Sequence, residues 1–130
     1  MSEAPRLLPG QIGWMDLTVP DAEQAREFYQ RVTGWSPSPL SMGDYNDYCM
    51  NTPGGETVAG ICHAKGQNVD LPPVWLIYIV VSDLDESLRQ CEALGGKLLR
   101  APKNFGNDRF CVIQDPAGAI AALYESRPAA

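Results

Sequence analysis

Three side chains of this sequence could carry acid–base or nucleophilic chemistry: Asp16, Cys62 and His63. An aspartate buried without a partner has a raised pKa and can act as a general base, so Asp16 is a candidate proton-transfer group. His63 is the only histidine in the chain and is the second candidate. Cys62 is a nucleophile or a buried thiol, and the buried thiol is favoured because no basic partner can be assigned to it.

A repeat defines the elements that must position these side chains. An offset of 62 residues aligns Val19 with Val81 and Asp21 with Asp83, and it continues without a gap through the rest of each copy. It also aligns Tyr48 with Phe110, Cys49 with Cys111, and Asn46 and Asp47 with Asp108 and Arg109. An offset shared by core and turn positions indicates a duplicated structural unit.

Each copy has the same order of predicted elements. An apolar strand leads to Asp21 or Asp83, which are typical helix N-caps, and the helix ends at Gly34 or Gly95–Gly96. Three further strands follow. The sequence therefore predicts an α+β fold of two βαβββ modules, about residues 11–65 and 73–127, joined by a linker at 66–72 within one domain of 130 residues.

Each predicted module has a sheet with a helix on one face only. Pairing the two open faces would cover them and form a part-barrel with a central cavity, where a ligand would bind. Side chains alternate between the faces of a strand, which assigns a set to the cavity. The predicted ligand-binding residues are Trp14, Asp16, Cys62, Leu76, Tyr78, Tyr124 and, from the loop at residues 103–109, Arg109; Gly60 and Ala122 are expected to leave room.

Several of these residues have a structural interpretation as well. Trp14 could fill core volume instead of stacking on a ligand, and Asp16 could be a hydrogen-bond partner of Tyr78. The alternation places His63 on the helix-facing or outer side, opposite Cys62, which predicts a surface or interface role. A dimer contact, or a catalytic role reached through a β-bulge, is the alternative for His63.

Composition excludes several classes of partner. The formal net charge is −6 and the isoelectric point about 4.6, so nucleic-acid binding is not expected. The start, MSEAPR, has no apolar core of a secretory signal, and the longest apolar run, Val74 to Val81, cannot span a membrane. The four cysteines form no CxxC or Cys/His zinc spacing, which indicates reduced thiols in a cytoplasmic protein.

A series of motifs carries a family resemblance. In order they are Val19-Pro20-Asp21, Phe28-Tyr29, Gly34-Trp35, Val81-Ser82-Asp83-Leu84-Asp85, Leu94-Gly95-Gly96 and Asp115-Pro116-Ala117-Gly118. Together they resemble the vicinal oxygen chelate superfamily of glyoxalase I, bleomycin-resistance proteins and extradiol dioxygenases. The resemblance spans about Gly10 to Glu125 and implies paired βαβββ modules, often assembled as a homodimer.

The resemblance also implies where a metal would be held. Family enzymes bind a divalent ion through His or Glu on the first and last strands of each module. The matching positions here are Trp14, Leu76, Gly60 and Ala122. None of these side chains can coordinate a divalent cation, so we expect no metal, and no other cofactor is indicated.

These observations favour a metal-free protein that binds a small apolar or aromatic molecule, with a homodimer as its assembly. The first alternative is a metal-independent isomerase or lyase in which Asp16 or His63 transfers protons. The second is a structural or interaction domain whose cavity is filled by its own side chains.

Overall fold

A computed structural model describes residues 7–127, apart from the side chain of Gln67. The expectation that there is no secretory signal rested on the first residues, MSEAPR, which lie outside the described range. The described elements are β1 (Ile12–Val19), α1 (Ala22–Thr33), β2 (Ser36–Ser41), β3 (Asn46–Asn51), β4 (Thr57–His63), a 3-10 turn (Gly66–Asn68), β5 (Trp75–Val81), α2 (Leu84–Ala93), β6 (Lys97–Phe105), β7 (Asp108–Gln114) and β8 (Ile120–Glu125). The predicted α+β fold of two βαβββ modules is confirmed.

The described chain forms two compact units, which we call the first module (residues 14–75) and the second module (residues 76–127 with 7–13). In the first module the strand order is β2-β3-β4-β1, and in the second it is β5-β8-β7-β6. In each module the first and last strands run parallel and the other pairs antiparallel. The segment before β1 pairs with β5 through Gly10 N donating to Val80 O at 2.7 Å and Val80 N donating to Gln11 O at 2.8 Å.

Both helices begin as the sequence predicts. The Asp21 side chain accepts a hydrogen bond from Gln24 N, and the Asp83 side chain accepts one from Glu86 N. These bonds satisfy backbone donors that the first turn of a helix leaves unpaired. Helix α1 ends at Gly34, whose φ of 82° is the left-handed conformation that glycine adopts without steric cost.

Each helix covers one face of its own sheet. In the first module the buried core comprises Ala22, Tyr48, Met50, Ala59 and Ile61. In the second module it comprises Leu84, Cys111 and Leu123, with Ile79, Val81, Leu88 and Ile113 packed against it. The opposite face of each sheet carries no helix of its own module, and we call it the helix-free face.

The ungapped repeat holds for the first and last strands of each module and is wrong for the third strand. Leu17 pairs with Ile61 as Ile79 pairs with Leu123, which preserves the offset of 62 residues. However, Ile61 faces Tyr48 whereas Leu123 faces Cys111, so the third strands are shifted by one residue relative to each other. A shift of one residue turns every side chain of a strand to the other face.

Both modules contain irregular strand pairing, and for this reason the one-residue shift is not visible when the two copies are aligned by sequence. Strand β6 has two register shifts against β7, while β2 pairs regularly with β3. In β4 the partner of β3 moves from Ala59 to Thr57, which leaves Val58 as an extra residue. Because the extra residues of the two modules compensate, the copies keep equal length and align without a gap.

Candidate functional site

The helix-free face of the first module carries Trp14 and Asp16 from β1 beside Gly60 and Cys62 from β4. Ile61, between the last two, packs under α1, so its neighbours lie on the other face. A Cβ added at Gly60 would lie 3.2 Å from Trp14 Cζ2 and 3.3 Å from Asp16 Cβ. The indole of Trp14 therefore occupies the space above Gly60, and the expectation that position 60 leaves room for a ligand is wrong.

Cys62 is not an activated nucleophile. Burial raises the pKa of its thiol, and the neighbouring carboxylates of Asp16 and Asp47 raise it further because they oppose formation of a thiolate. A thiolate is the reactive form of cysteine, so this site keeps Cys62 protonated. This environment favours the interpretation of Cys62 as a buried thiol, although its side chain is only partly buried.

Asp16 lies on the helix-free face but is not an isolated carboxylate. It has an interaction partner in the structure, so it is not a carboxylate buried without a partner. Its negative charge contributes to the raised pKa of the Cys62 thiol. A role for Asp16 in ligand binding or proton transfer stays a prediction.

The helix-free face of the second module is aromatic. Tyr78 on β5 and Tyr124 on β8 share this face, because Ile79 and Leu123 beside them pack against α2. Phe110 on β7 lies opposite Tyr124 and its ring centroid is 5.9 Å from that of Tyr78. All three rings are partly exposed. Leu76 and Ala122, on the same face, are buried.

Tyr124 is also hydrogen-bonded. Its hydroxyl donates to Asp108 Oδ2, and Asp108 Oδ1 accepts from Arg127 N at 2.8 Å. Burial raises the pKa of Tyr124 to about 12, with the Asp108 carboxylate adding to the shift. Tyr124 therefore stays protonated and presents its ring rather than a phenolate.

Phe110 was not among the predicted site residues. The ungapped alignment paired it with Tyr48, which lies in the core under α1. Strand β7 reads DRFCVIQ and has apolar residues at four successive positions, so alternation alone does not assign its faces. Only its pairing with β8 places Phe110 beside Tyr78 and Tyr124.

Arg109 points to the helix side, not to the helix-free face where ligand binding was predicted. Its Nε lies 3.2 Å from Glu125 Oε1 and its Nη2 lies 3.4 Å from Asp85 Oδ2 on α2. Glu125 also accepts from Leu84 N at 2.7 Å. Burial alone would raise the pKa of Glu125, but these donors, with Arg127, lower it to about 2. Arg109 is thus engaged in a structural ion pair.

The prediction for His63 is right in one respect and wrong in another. The predicted side of the sheet is right, since His63 faces α1, but a surface role is wrong because the side chain is only 5% exposed. Its Nε2 lies 3.0 Å from Glu23 Oε2 and its Nδ1 lies 3.4 Å from Asp47 Oδ1. The imidazole is buried against Glu23 of α1, where it does not reach the helix-free face of its module.

The positions at which family enzymes bind metal do not fit a divalent ion. Trp14 covers Gly60, and Leu76 and Ala122 are buried apolar side chains without a donor atom. Among the described residues, no three or more His, Cys, Asp or Glu side chains come together as a metal-binding group.

Neither helix within residues 7–127 is long and apolar enough to cross a bilayer.

Comparison with known proteins identifies the family. The family model of the Glyoxalase/Bleomycin resistance protein/Dioxygenase superfamily matches residues 11–122. A match over most of the chain, on two βαβββ modules, shows that this protein belongs to that superfamily.

Named relatives cover the chain almost completely. The chain is 28% identical to "Anthracycline biosynthesis protein DnrV" of Streptomyces peucetius over 92% of its length and 48% of the relative. It is 32% identical to "Putative glyoxylase CFP32" of Mycobacterium bovis over 90% of its length and 46% of the relative. The chain thus spans about half the length of these relatives.

A solved structure supports the fold. Methylmalonyl-CoA epimerase from Mycobacterium tuberculosis matches with a TM-score of 0.52 and 21% identity, covering 88% of this chain and 86% of the epimerase. At this identity the likeness concerns the fold and not the activity.

Proposed function

We propose that this protein binds a small, planar aromatic molecule without a resident metal, using aromatic side chains on the helix-free faces of its sheets. The observation that carries the proposal is the group of partly exposed rings of Tyr78, Phe110 and Tyr124 on one sheet face of the second module. Aromatic faces stack on flat ligands and supply contact area with little loss of side-chain entropy. Trp14 gives the helix-free face of the first module an aromatic surface as well.

One relative supports the same class of ligand, since it is named for anthracycline biosynthesis and anthracyclines contain a flat, fused aromatic ring system. The metal-binding positions of the superfamily hold apolar side chains or glycine here, which favours binding over metal-dependent catalysis.

The test is titration of the protein with a hydroxyanthraquinone, followed by quenching of intrinsic fluorescence. Saturable binding is expected, and Phe110→Ala should weaken it about tenfold because one stacked ring is lost. Phe28→Ala is the matched control, since Phe28 is 55% exposed on α1 and should leave binding unchanged. Absence of saturable binding by flat aromatic compounds would contradict the proposal and favour a structural or interaction domain.

A metal-independent isomerase or lyase is the second candidate. The observation that favours it is the carboxylate of Asp16 on the same sheet face as Trp14, where it could accept a proton from a ligand. Turnover of a bound carbonyl compound should then be lost in Asp16→Asn while binding is retained. His63 is the weaker proton-transfer candidate because it is packed against α1. Equal turnover by the Asp16→Asn variant would remove the proposed base.

We also retain the homodimer and the cytoplasmic location as proposals. The first rests on the family resemblance and the second on the four free cysteines. Sedimentation equilibrium at micromolar concentration tests the dimer, and a mass of one chain would contradict it. Fractionation of cells that express the full-length protein tests the location.

A further inference from the structure

Strand β6 brings two cationic side chains to the aromatic face of the second module. Lys103 lies directly opposite Phe110, and Arg100 directly opposite Val112. Residues directly opposite each other in antiparallel strands point to the same face of the sheet. Phe110 and Val112 are on the helix-free face because Cys111 between them packs under α2. Lys103 and Arg100 therefore share the face of Tyr78 and Tyr124.

These cations stand out against the charge of the whole chain. The sequence has 10 basic and 16 acidic residues, yet this patch beside the rings holds two basic residues. Asp108, the carboxylate nearest to Tyr124, already accepts from the Tyr124 hydroxyl and from Arg127 N. Lys103 is exposed, so its flexible side chain can extend over the rim of the Phe110 ring.

Cross-strand neighbours have Cβ atoms about 5 Å apart, which sets the scale of the site. A flexible lysine side chain so placed can bring its ammonium to an anionic oxygen attached to a molecule that stacks on the neighbouring ring. A charge-assisted hydrogen bond of this kind is stronger than a neutral one. A neutral aromatic molecule would leave this interaction unused.

We propose that the ligand is an anionic aromatic molecule, such as an aryl carboxylate or an ionised phenol. Its ring stacks on Phe110 beside the tilted ring of Tyr78, and its anionic oxygens bind Lys103; Arg100, on the same face, already has an interaction partner. This inference rests on the proposed function, because it specifies the charge of the ligand that the aromatic face binds.

The experiment compares 2-naphthoate with its neutral analogue 2-naphthamide, using the full chain at pH 7 and two salt concentrations. The wild type should bind the carboxylate more tightly, and the preference should shrink at high salt because ions screen the attraction. Lys103→Gln should weaken naphthoate binding about two- to fivefold, the range for one exposed ion pair, and leave naphthamide binding unchanged. Lys103→Arg should restore the preference.

Arg31→Gln is the control for charge, because it removes one exposed cation on α1. If neither compound binds the wild type, the proposed function fails and the inference falls with it. If both bind equally, or if Lys103→Gln weakens both alike, the anionic specificity is wrong while binding of aromatic molecules stands. Circular dichroism of each variant confirms that the fold is retained.

Discussion

The two modules differ most where the last strand meets the start of the helix. In the second module Glu125 ends β8, and in the first His63 ends β4, at matching positions of the parallel pairs with β5 and β1. The second residue of each helix is acidic, Asp85 in one module and Glu23 in the other. One module therefore places two carboxylates together, and the other places a carboxylate against an imidazole.

Two acidic side chains at one site need a cation between them. Arg109 supplies it, with contacts of 3.2 Å to Glu125 and 3.4 Å to Asp85, and Glu125 also accepts from Leu84 N. In the first module His63 contacts Glu23 directly at 3.0 Å, and Tyr48 donates to the same carboxylate at 3.1 Å. Burial opposes the charge of Glu23, but these two donors lower its pKa.

The difference shows how the residue at the end of the last strand determines which side chain is needed opposite it. With histidine at the end of the strand, no arginine is needed opposite it. Continuing the register of β3 and β4 places Asn46 opposite His63, where the second module pairs Arg109 with Glu125. The same backbone thus supports an arginine-bridged pair of carboxylates in one module and a histidine–glutamate pair in the other.

The largest effect is expected from Glu125→Ala. The change leaves Leu84 N without its acceptor and Arg109 without its closest partner, both partly or fully buried. Breaking a buried ion pair from one side costs about 3 kcal/mol, so the free energy of unfolding measured in urea should fall by about that amount. Glu92→Ala, exposed on α2, is the control and should change it by less than about 0.5 kcal/mol. A loss below 1 kcal/mol for Glu125→Ala would show that the pair is not stabilising.

The pH dependence of the Glu125 contribution has a definite sign. The folded pKa is about 2 and the ordinary value is 4.5, so the carboxylate stabilises the fold fully above about pH 4.5. That contribution is lost as the pH falls towards 2. The difference in free energy of unfolding between wild type and Glu125→Gln should therefore shrink from pH 6 to pH 3. A difference that stays constant or grows on acidification would contradict the depressed pKa.

A smaller effect is expected from giving the first module the carboxylate of the second. His63→Glu at pH 7 places a buried negative charge beside Glu23 and should cost about 2 kcal/mol. Adding Asn46→Arg should recover more than half of the loss, because it supplies the bridging cation. A double-mutant cycle by urea unfolding measures this coupling. Additive effects of the two substitutions would contradict the proposal that positions 63 and 46 are equivalent to Glu125 and Arg109.

The smallest effect is expected from Gly60→Ala, which copies Ala122 of the second module. The new methyl group meets Trp14 at 3.2 Å and requires a shift of a few tenths of an ångström. A loss of about 1 kcal/mol is expected, with a changed near-ultraviolet circular dichroism of Trp14. Gly54→Ala is the control, since its Cβ would approach only Thr52 Oγ1, at 3.8 Å. An unchanged spectrum for Gly60→Ala would contradict the position of the Trp14 indole over residue 60.

The parts of the fold with local signals could be predicted from the sequence. Asp21 and Asp83 precede their helices, Gly34 ends α1, and an apolar strand precedes each helix, so the element order follows from neighbours in the chain. The faces of β1 and β4 follow from alternation, which correctly separated Cys62 from His63. The candidate site was less predictable, because Phe110 and Lys103 join it through strand pairing rather than through a motif.

The sequence by itself determined the duplicated βαβββ order, the helix ends and the membership of the superfamily, because these depend on periodicity and on residues close in the chain. Only the tertiary structure decided that Tyr48 lies under α1 while Phe110 lies on the helix-free face. It also decided that Arg109 binds Glu125 and that His63 is buried against Glu23. The physical reason is that strand register is set by pairing and packing between distant segments. Compensating irregularities in β6 and at Val58 leave no trace in an ungapped alignment.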